Sequence, residues 1–140
     1  MASAAVHAQG TLIKIGDGGG PEVFTTIKDA YGIGGPTTSV DTIDVTSHDS
    51  SAWREFIAGL IDPGEITFSF YYSGHATHDQ LRTDMLARTA RNFQLVWAPL
   101  AVDETLAFTG LVTGYQPDEP HDGPLSVAVT IKVTAAWTWT

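Results

Sequence analysis

The chain has no cysteine among its 140 residues, so disulfides, thiolate metal sites, iron–sulfur ligation and cysteine nucleophiles are all excluded. It is also poor in cations. Seven Lys and Arg face sixteen Asp and Glu, a formal net charge of −9. Proteins that grip nucleic acid do so by displacing phosphate counterions with Lys and Arg, so a chain this acidic is not a nucleic-acid clamp, although it could lie beside DNA without holding it. Long hydrophobic runs are missing as well; no segment approaches the eighteen or so apolar residues of a membrane span. The first ten residues lack a basic region and are broken by His7 and Gln9, which reads as a flexible arm rather than a secretion signal. What is present is 43% hydrophobic residues, enough at this length for one domain that hides roughly two thirds of its unfolded surface.

The dominant period is two, the period of strands. From Leu125 the odd positions run Leu125, Val127, Val129, Ile131, Val133, Ala135, Trp137, Trp139, against Ser, Ala, Thr and Lys at the even ones, predicting one long closing strand bent at Ala135-Ala136. Ile66, Phe68, Phe70 and Tyr72 alternate with polar residues in a second strand, opened by the turn Asp62-Pro63-Gly64-Glu65. A third covers Leu106–Tyr115, with Gly110 and Gly114 as bulge or bend points and the closing strand as its partner. Shorter strands are expected at Thr11–Ile15, Val23–Thr26, Val40–Thr46 and Asn92–Trp97, while Gly16–Pro21 is a turn and Tyr31–Ser39 is aperiodic. One helix is expected, with Thr77 and Gln80 as a capping box, Leu81, Met85, Leu86 and Ala90 as its apolar stripe, and Arg82, Asp84 and Arg88 pointing away. Many strands and one helix make a mainly β domain, a sandwich or barrel with a flanking helix.

No constellation of residues carries chemistry. Ser47-His48-Asp49 are consecutive and cannot converge on one proton path, so they read as a polar turn. His75 and His78 lack a third ligand for a metal. The Gly16–Gly20 run is followed by neither Lys-Ser/Thr nor a helix, so it is no phosphate cradle. Asp41 and Asp44 fall on opposite faces of one strand, and Trp137 with Trp139 fits a core better than a stacking platform. The expectation is a non-enzyme with no cofactor and no metal. The unusual stretch is residues 47–61, far longer than a hairpin turn between confident strands. Its Trp53, Arg54, Phe56 and Ile57 are the aromatic, arginine and aliphatic types of interface cores, which predicts a long inter-strand loop covered by another subunit.

In order along the chain come the glycine turn followed by Glu22-Val-Phe-Thr25, then Val45-Thr46 with an Asp-Ser turn, then Trp53-Arg-Glu-Phe56 and Gly59-Leu-Ile-Asp-Pro-Gly64, then the helix, Phe108-Thr-Gly110, and Val129-Thr-Ile-Lys-Val-Thr134. Taken together, over nearly the whole length, this sequence resembles the major tail tube proteins of long, non-contractile-tailed phages, the lambda-type family. Ala135-Ala136 stands where relatives often carry glycine. The resemblance implies a single tail-tube domain over residues 1–140, with residues 1–10 as an arm, folded as a β-sandwich with a flanking helix. It implies hexameric rings stacked into a hollow tube in the virion tail, made in the host cytoplasm, with tape measure, tail terminator and tail tip proteins as partners and no membrane. Double-stranded DNA would pass through a polar or acidic lumen without being bound. The expected lumen-facing residues are Thr42, Asp44 and Thr46 with Thr67 and Ser69. Two alternatives remain: a tube or ring protein of a related secretion or contractile injection apparatus, and a monomeric β-sandwich that binds a ligand.

Overall fold

The computed structural model describes residues 3–5, 8–98, 100 and 102–140; residues 1, 2, 6 and 7 of the expected N-terminal arm lie outside the described residues. Among the described residues, ten strands and one helix follow in the order β1 (Thr11–Gly16), β2 (Phe24–Thr26), β3 (Ala30–Gly34), β4 (Ser39–Asp44), β5 (Phe56–Asp62), β6 (Glu65–Tyr71), α1 (Ala76–Ala87), β7 (Arg91–Trp97), β8 (Glu104–Asp118), β9 (Ser126–Val133) and β10 (Thr138–Trp139). Eight strands form one antiparallel sheet in the order β2-β1-β7-β8-β9-β6-β3, with β10 on β8; β4 and β5 form a separate ribbon. The alternation read from the sequence selects the inner face. Ile13, Ile66, Phe68, Phe70, Phe93, Leu95, Leu106, Phe108 and the odd residues of β9 from Val127 to Val133 pack into one core, closed by Leu81 of α1.

The sheet becomes sandwich-like because two segments change partners midway. Strand β8 pairs with β7 from Glu104 to Gly110 and with β9 from Gly110 onward, so its two halves belong to two layers. Gly110 stands at the crossing, where an added Cβ would lie 2.5 Å from Ile131 Cγ2; only glycine lets the layers come this close. The extra residue Thr113 between the Val112–Ile131 and Gly114–Thr130 pairs is the bulge foreseen at Gly114. The second switching segment is β2–β3, whose first part pairs with β1 and whose second part pairs with β6. Its corner at Lys28 is held by α1: His78 Nε2 donates to the Lys28 carbonyl at 2.6 Å, and the Lys28 amide donates to Thr77 Oγ1 at 3.5 Å.

Four local expectations are corrected. The helix cap is His75, whose Nδ1 accepts from the Thr77 amide; Thr77 lies inside the helix, its hydroxyl 2.8 Å from His75 Nδ1 and accepting from the Lys28 amide. Leu86 is exposed, Ala90 lies beyond the helix, and Asp84 is buried rather than outward. The closing strand stops at Val133, since β8 there turns toward β7; the chain bends and returns as β10 beside Leu106 and Ala107. Tyr31–Ser39 is not free of structure: β3 hides in it, its two-residue period broken by glycines and a register shift between Tyr31 and Gly34. No helix among the described residues is long and apolar enough to cross a membrane.

Asp84 is buried because Arg91 finds it. Arg91 Nε and Nη2 donate to its two oxygens at 2.5 and 2.9 Å, Gln80 adds a third bond, and Arg91 Nη1 reaches the Gly16 carbonyl at 3.1 Å. The hydrogen bonds to Asp84 raise the Arg91 pKa above its ordinary value, so the guanidinium stays charged, and the pair intact from that side, throughout the usual pH range. This pair ties the end of α1 to the β1–β2 turn. Removing one partner strands a buried charge, so Arg91→Ala should lower the unfolding free energy by about 3–5 kcal/mol. Arg82→Ala, which breaks the exposed Arg82–Asp79 pair, should cost under about 1 kcal/mol. Urea titration of both variants checks the contrast.

Candidate functional site

Among the described residues no group of three or more His, Asp or Glu converges in a way that could hold a metal ion. The feature that departs from an ordinary domain surface is the β4–β5 ribbon. It pairs Ser39 with Asp62, Val40 with Ile61, Thr42 with Ala58, Ile43 with Ile57 and Asp44 with Phe56. The expected loop over 47–61 is therefore shorter than its sequence suggested. Phe56 and Ile57 belong to β5, and the connection proper is 45–55. β5 was missed because its apolar residues run on without alternation.

The root of this arm is firmly fixed. The Thr37 amide donates to the Glu65 carbonyl and Thr37 Oγ1 accepts from the Glu65 amide. Thr38 Oγ1 donates to the Pro63 carbonyl and accepts from Trp137 Nε1. Gly64, at φ +84°, packs against Thr37 so closely that an added Cβ would lie 2.5 Å from its carbonyl. Asp62 accepts from the Gly64 amide at 2.9 Å and from Lys132 Nζ at 3.1 Å. The tip is tied internally: the Glu55 amide donates to Thr46 Oγ1, and Ser50 Oγ donates to the Glu55 carboxylate.

Along the arm, large apolar side chains face water. Val40, Ile43, Phe56, Ile57 and Ile61 are 50–64% exposed, Trp53 is 81% exposed and Leu60 is 83% exposed. A monomeric soluble domain rarely shows so dense a patch, and burial by another molecule is its usual meaning. Of the predicted interface residues, Phe56 and Ile57 sit side by side on β5, Trp53 stands at the tip, and Arg54 lies 3.9 Å from Asp44 in an exposed pair. The five predicted lumen residues separate. Thr42 and Asp44 are on β4 and Thr46 just beyond it, whereas Thr67 and Ser69 are on the outer face of β6, in register with Thr130 and Ala128 of β9. That outer face continues through Gly114 and Gln116 of β8; most of its side chains are small or polar, with Leu111 and Tyr71 toward its ends.

A second apolar feature was read differently from the sequence. Trp97, Trp137 and Trp139 cluster at one end of the sheet, with ring centroids 4.6 Å apart for Trp97–Trp139 and 5.4 Å for Trp137–Trp139. Trp137 packs against the core as expected, but Trp139 is half-exposed because β10 lies at the sheet edge.

No family profile matches this chain, and no curated protein does. Solved structures do. A chain from the tail of an empty gene transfer agent particle, refined with helical and C6 symmetry, superposes with a TM-score of 0.80 at 23% identity, over 97% of this chain and 99% of that one. A chain of the SPP1 tail tube matches at 0.74 and 9% identity, over 96% and 78%. A chain of the sheath–tube complex of an extracellular contractile injection system matches at 0.72 and 12% identity, over 99% and 93%. At these identities the likeness establishes the fold. It is a sandwich-like fold shared with chains of tail and tube assemblies, and the likeness extends over 96–99% of this chain.

Two outcomes follow from the arm. Backbone hydrogen bonding from Gly64, then the Lys132 ammonium, holds the Asp62 carboxyl below the usual carboxylate range. A depressed carboxylate stabilises the folded state above its unfolded value near 3.9, and that contribution is lost as pH falls through the lower folded value. The Gly64 amide proton should therefore titrate below that value in NMR spectra, and Asp62→Asn should abolish the titration. Trp53 packs against no core residue, so Trp53→Ala should leave the melting temperature unchanged. Any self-association through the arm should weaken by about 2 kcal/mol per site, measurable by sedimentation.

Proposed function

We propose that this chain is a structural subunit of a phage-type tail tube, assembling into hexameric rings that stack into a hollow conduit for double-stranded DNA. The observation that carries the reading is the rooted, apolar β4–β5 arm, a costly feature in a monomer and a useful one in an assembly. The full-length likeness to a chain of a C6-symmetric tail supports it. So does the charge of −9: DNA carries about one charge per 1.7 Å, and a basic duct would hold it through many phosphate contacts, whereas a polar or acidic wall lets it slide.

The lumen wall in this reading is the outer face that carries Thr67, Ser69 and Thr130. Thr42, Asp44 and Thr46 are assigned to subunit contacts instead, because Thr42 and Asp44 share a ribbon face with Val40, Phe56 and Ile61. The subunit would reside in the virion tail, with tape measure, terminator and tip proteins as partners, and would act without catalysis or cofactor. The likeness to a contractile injection tube favours one other reading, a tube that conducts protein rather than DNA.

Negative-stain microscopy of the concentrated protein should show rings or tubes; a dispersed monomer at every concentration would refute the assignment. DNA in the lumen of particles purified from producing cells separates the two readings. Thr67→Lys should leave assembly intact while making the tubes retain DNA at low salt and release it at high salt. Wild-type tubes should retain none.

A further inference from the structure

The apolar side chains of the arm are divided between its two faces. Strand β5 carries the run Phe56-Ile-Ala-Gly-Leu-Ile61, the pattern of a strand covered on both sides; a strand with one wet face alternates. β4 breaks alternation too, with Val40 and Ile43 and, just beyond its end, Val45. The register sorts them. Val40 with Ile61, Thr42 with Ala58 and Asp44 with Phe56 occupy one face, and Ile43 with Ile57 the other. The shift between Val40 and Thr42, where β5 advances from Ile61 to Ala58 while β4 advances by two residues, is what puts Ile61 on the face of Phe56. Without the extra β5 residue the strand would alternate strictly, with Leu60 on the face of Phe56 and Ile61 on the face of Ile57; either way both faces carry large apolar side chains. Within the subunit neither face is covered: every residue of β4 is exposed, and β5 is nearly so.

We propose that each arm is wedged between two further copies of this chain, one packed on each face. This rests on the tube reading above and adds to it that the arm is enclosed rather than laid on a single neighbour. A single partner on one face would leave either Phe56 and Ile61 or Ile43 and Ile57 in water. Size argues the same way. A six-residue ribbon face measures about 20 Å by about 10 Å, about 200 Å², well short of the roughly 800 Å² per partner of a standard stable interface. An arm this narrow holds only as one part of a repeated contact in which both faces are used.

Charge favours the body of a second copy over its arm. The arm carries Asp41, Asp44, Asp49, Glu55 and Asp62 against Arg54 alone, so two arms side by side would repel. Lys14, Lys28 and Arg88, which have no ion pair among the described residues, all lie on the body. The contact is therefore heterologous, arm into body, the kind that propagates rather than closes on itself in a dimer.

Two double variants of the full chain test the two faces: Phe56→Thr with Ile61→Thr, and Ile43→Thr with Ile57→Thr. Each should melt like wild type, because the arm lies outside the core. Each should also reduce the yield of pelletable tubes at least tenfold. If either pair polymerises like wild type, the arm is not enclosed. Footprinting provides a readout independent of variant folding, since the chain has no native cysteine. Thr42→Cys and Ile43→Cys place thiols on adjacent, opposite-facing positions. Both should react with a bulky maleimide at least tenfold more slowly in tubes than in monomers. Tubes in which one thiol keeps its monomer rate overturn the two-sided arm and leave the tube function standing; a protein that never assembles overturns both.

Discussion

The change of partner along β8 is the constraint on which the rest of the molecule depends. Fifteen residues of continuous strand serve β7 with one half and β9 with the other. The sheet must therefore fold across itself, and its inner face becomes a core. Everything else follows from accommodating that bend. Gly110 is side-chain-free because two layers converge there, the Gly114 bulge takes up the mismatch of register, and β9 has to end at Val133 because its partner has turned away. The β2–β3 segment makes the opposite switch and shuts the far side, and α1 fastens that corner through Lys28.

With both corners closed, the subunit turns most of its large apolar side chains inward, and the densest exception is the arm. There the logic inverts. The root is hydrogen-bonded on both strands and braced by the Asp62–Lys132 pair, while the blade beyond it carries aliphatic and aromatic side chains with nothing in the subunit to meet them. A rigid root and an uncovered blade suit an element that is presented to something else: ordering costs little at the moment of contact because the backbone is already in place. The chain is acidic overall, and the outer face of β6, β8 and β9 is mostly small or polar.

Much of the fold was legible because one face of the main sheet is dry and the other wet. Period-two alternation located β1, β6, β7 and β8 within a few residues, and the start but not the end of β9, and glycine placed the bend and the bulge. It failed where that asymmetry fails. β3 is short, bulged and glycine-rich; β5 is apolar on both faces and so resembled an irregular hydrophobic loop. Asp84 looked like surface charge because the residue that buries it, Arg91, lies on the next strand rather than on the same helix.

Residue order alone determined a cysteine-free, strongly acidic, mainly β domain with a helix and an anomalous apolar stretch after Thr46. These are properties of composition and local period, which need no long-range contacts. Only the tertiary structure decided which strands pair, that Phe56 and Ile57 lie on a ribbon rather than in a loop, and that the expected lumen residues divide between the arm and the sheet. Those outcomes depend on register. A one-residue shift between β4 and β5 moves a side chain from one face to the other, and no pattern within a single strand records where its partner's bulge will fall.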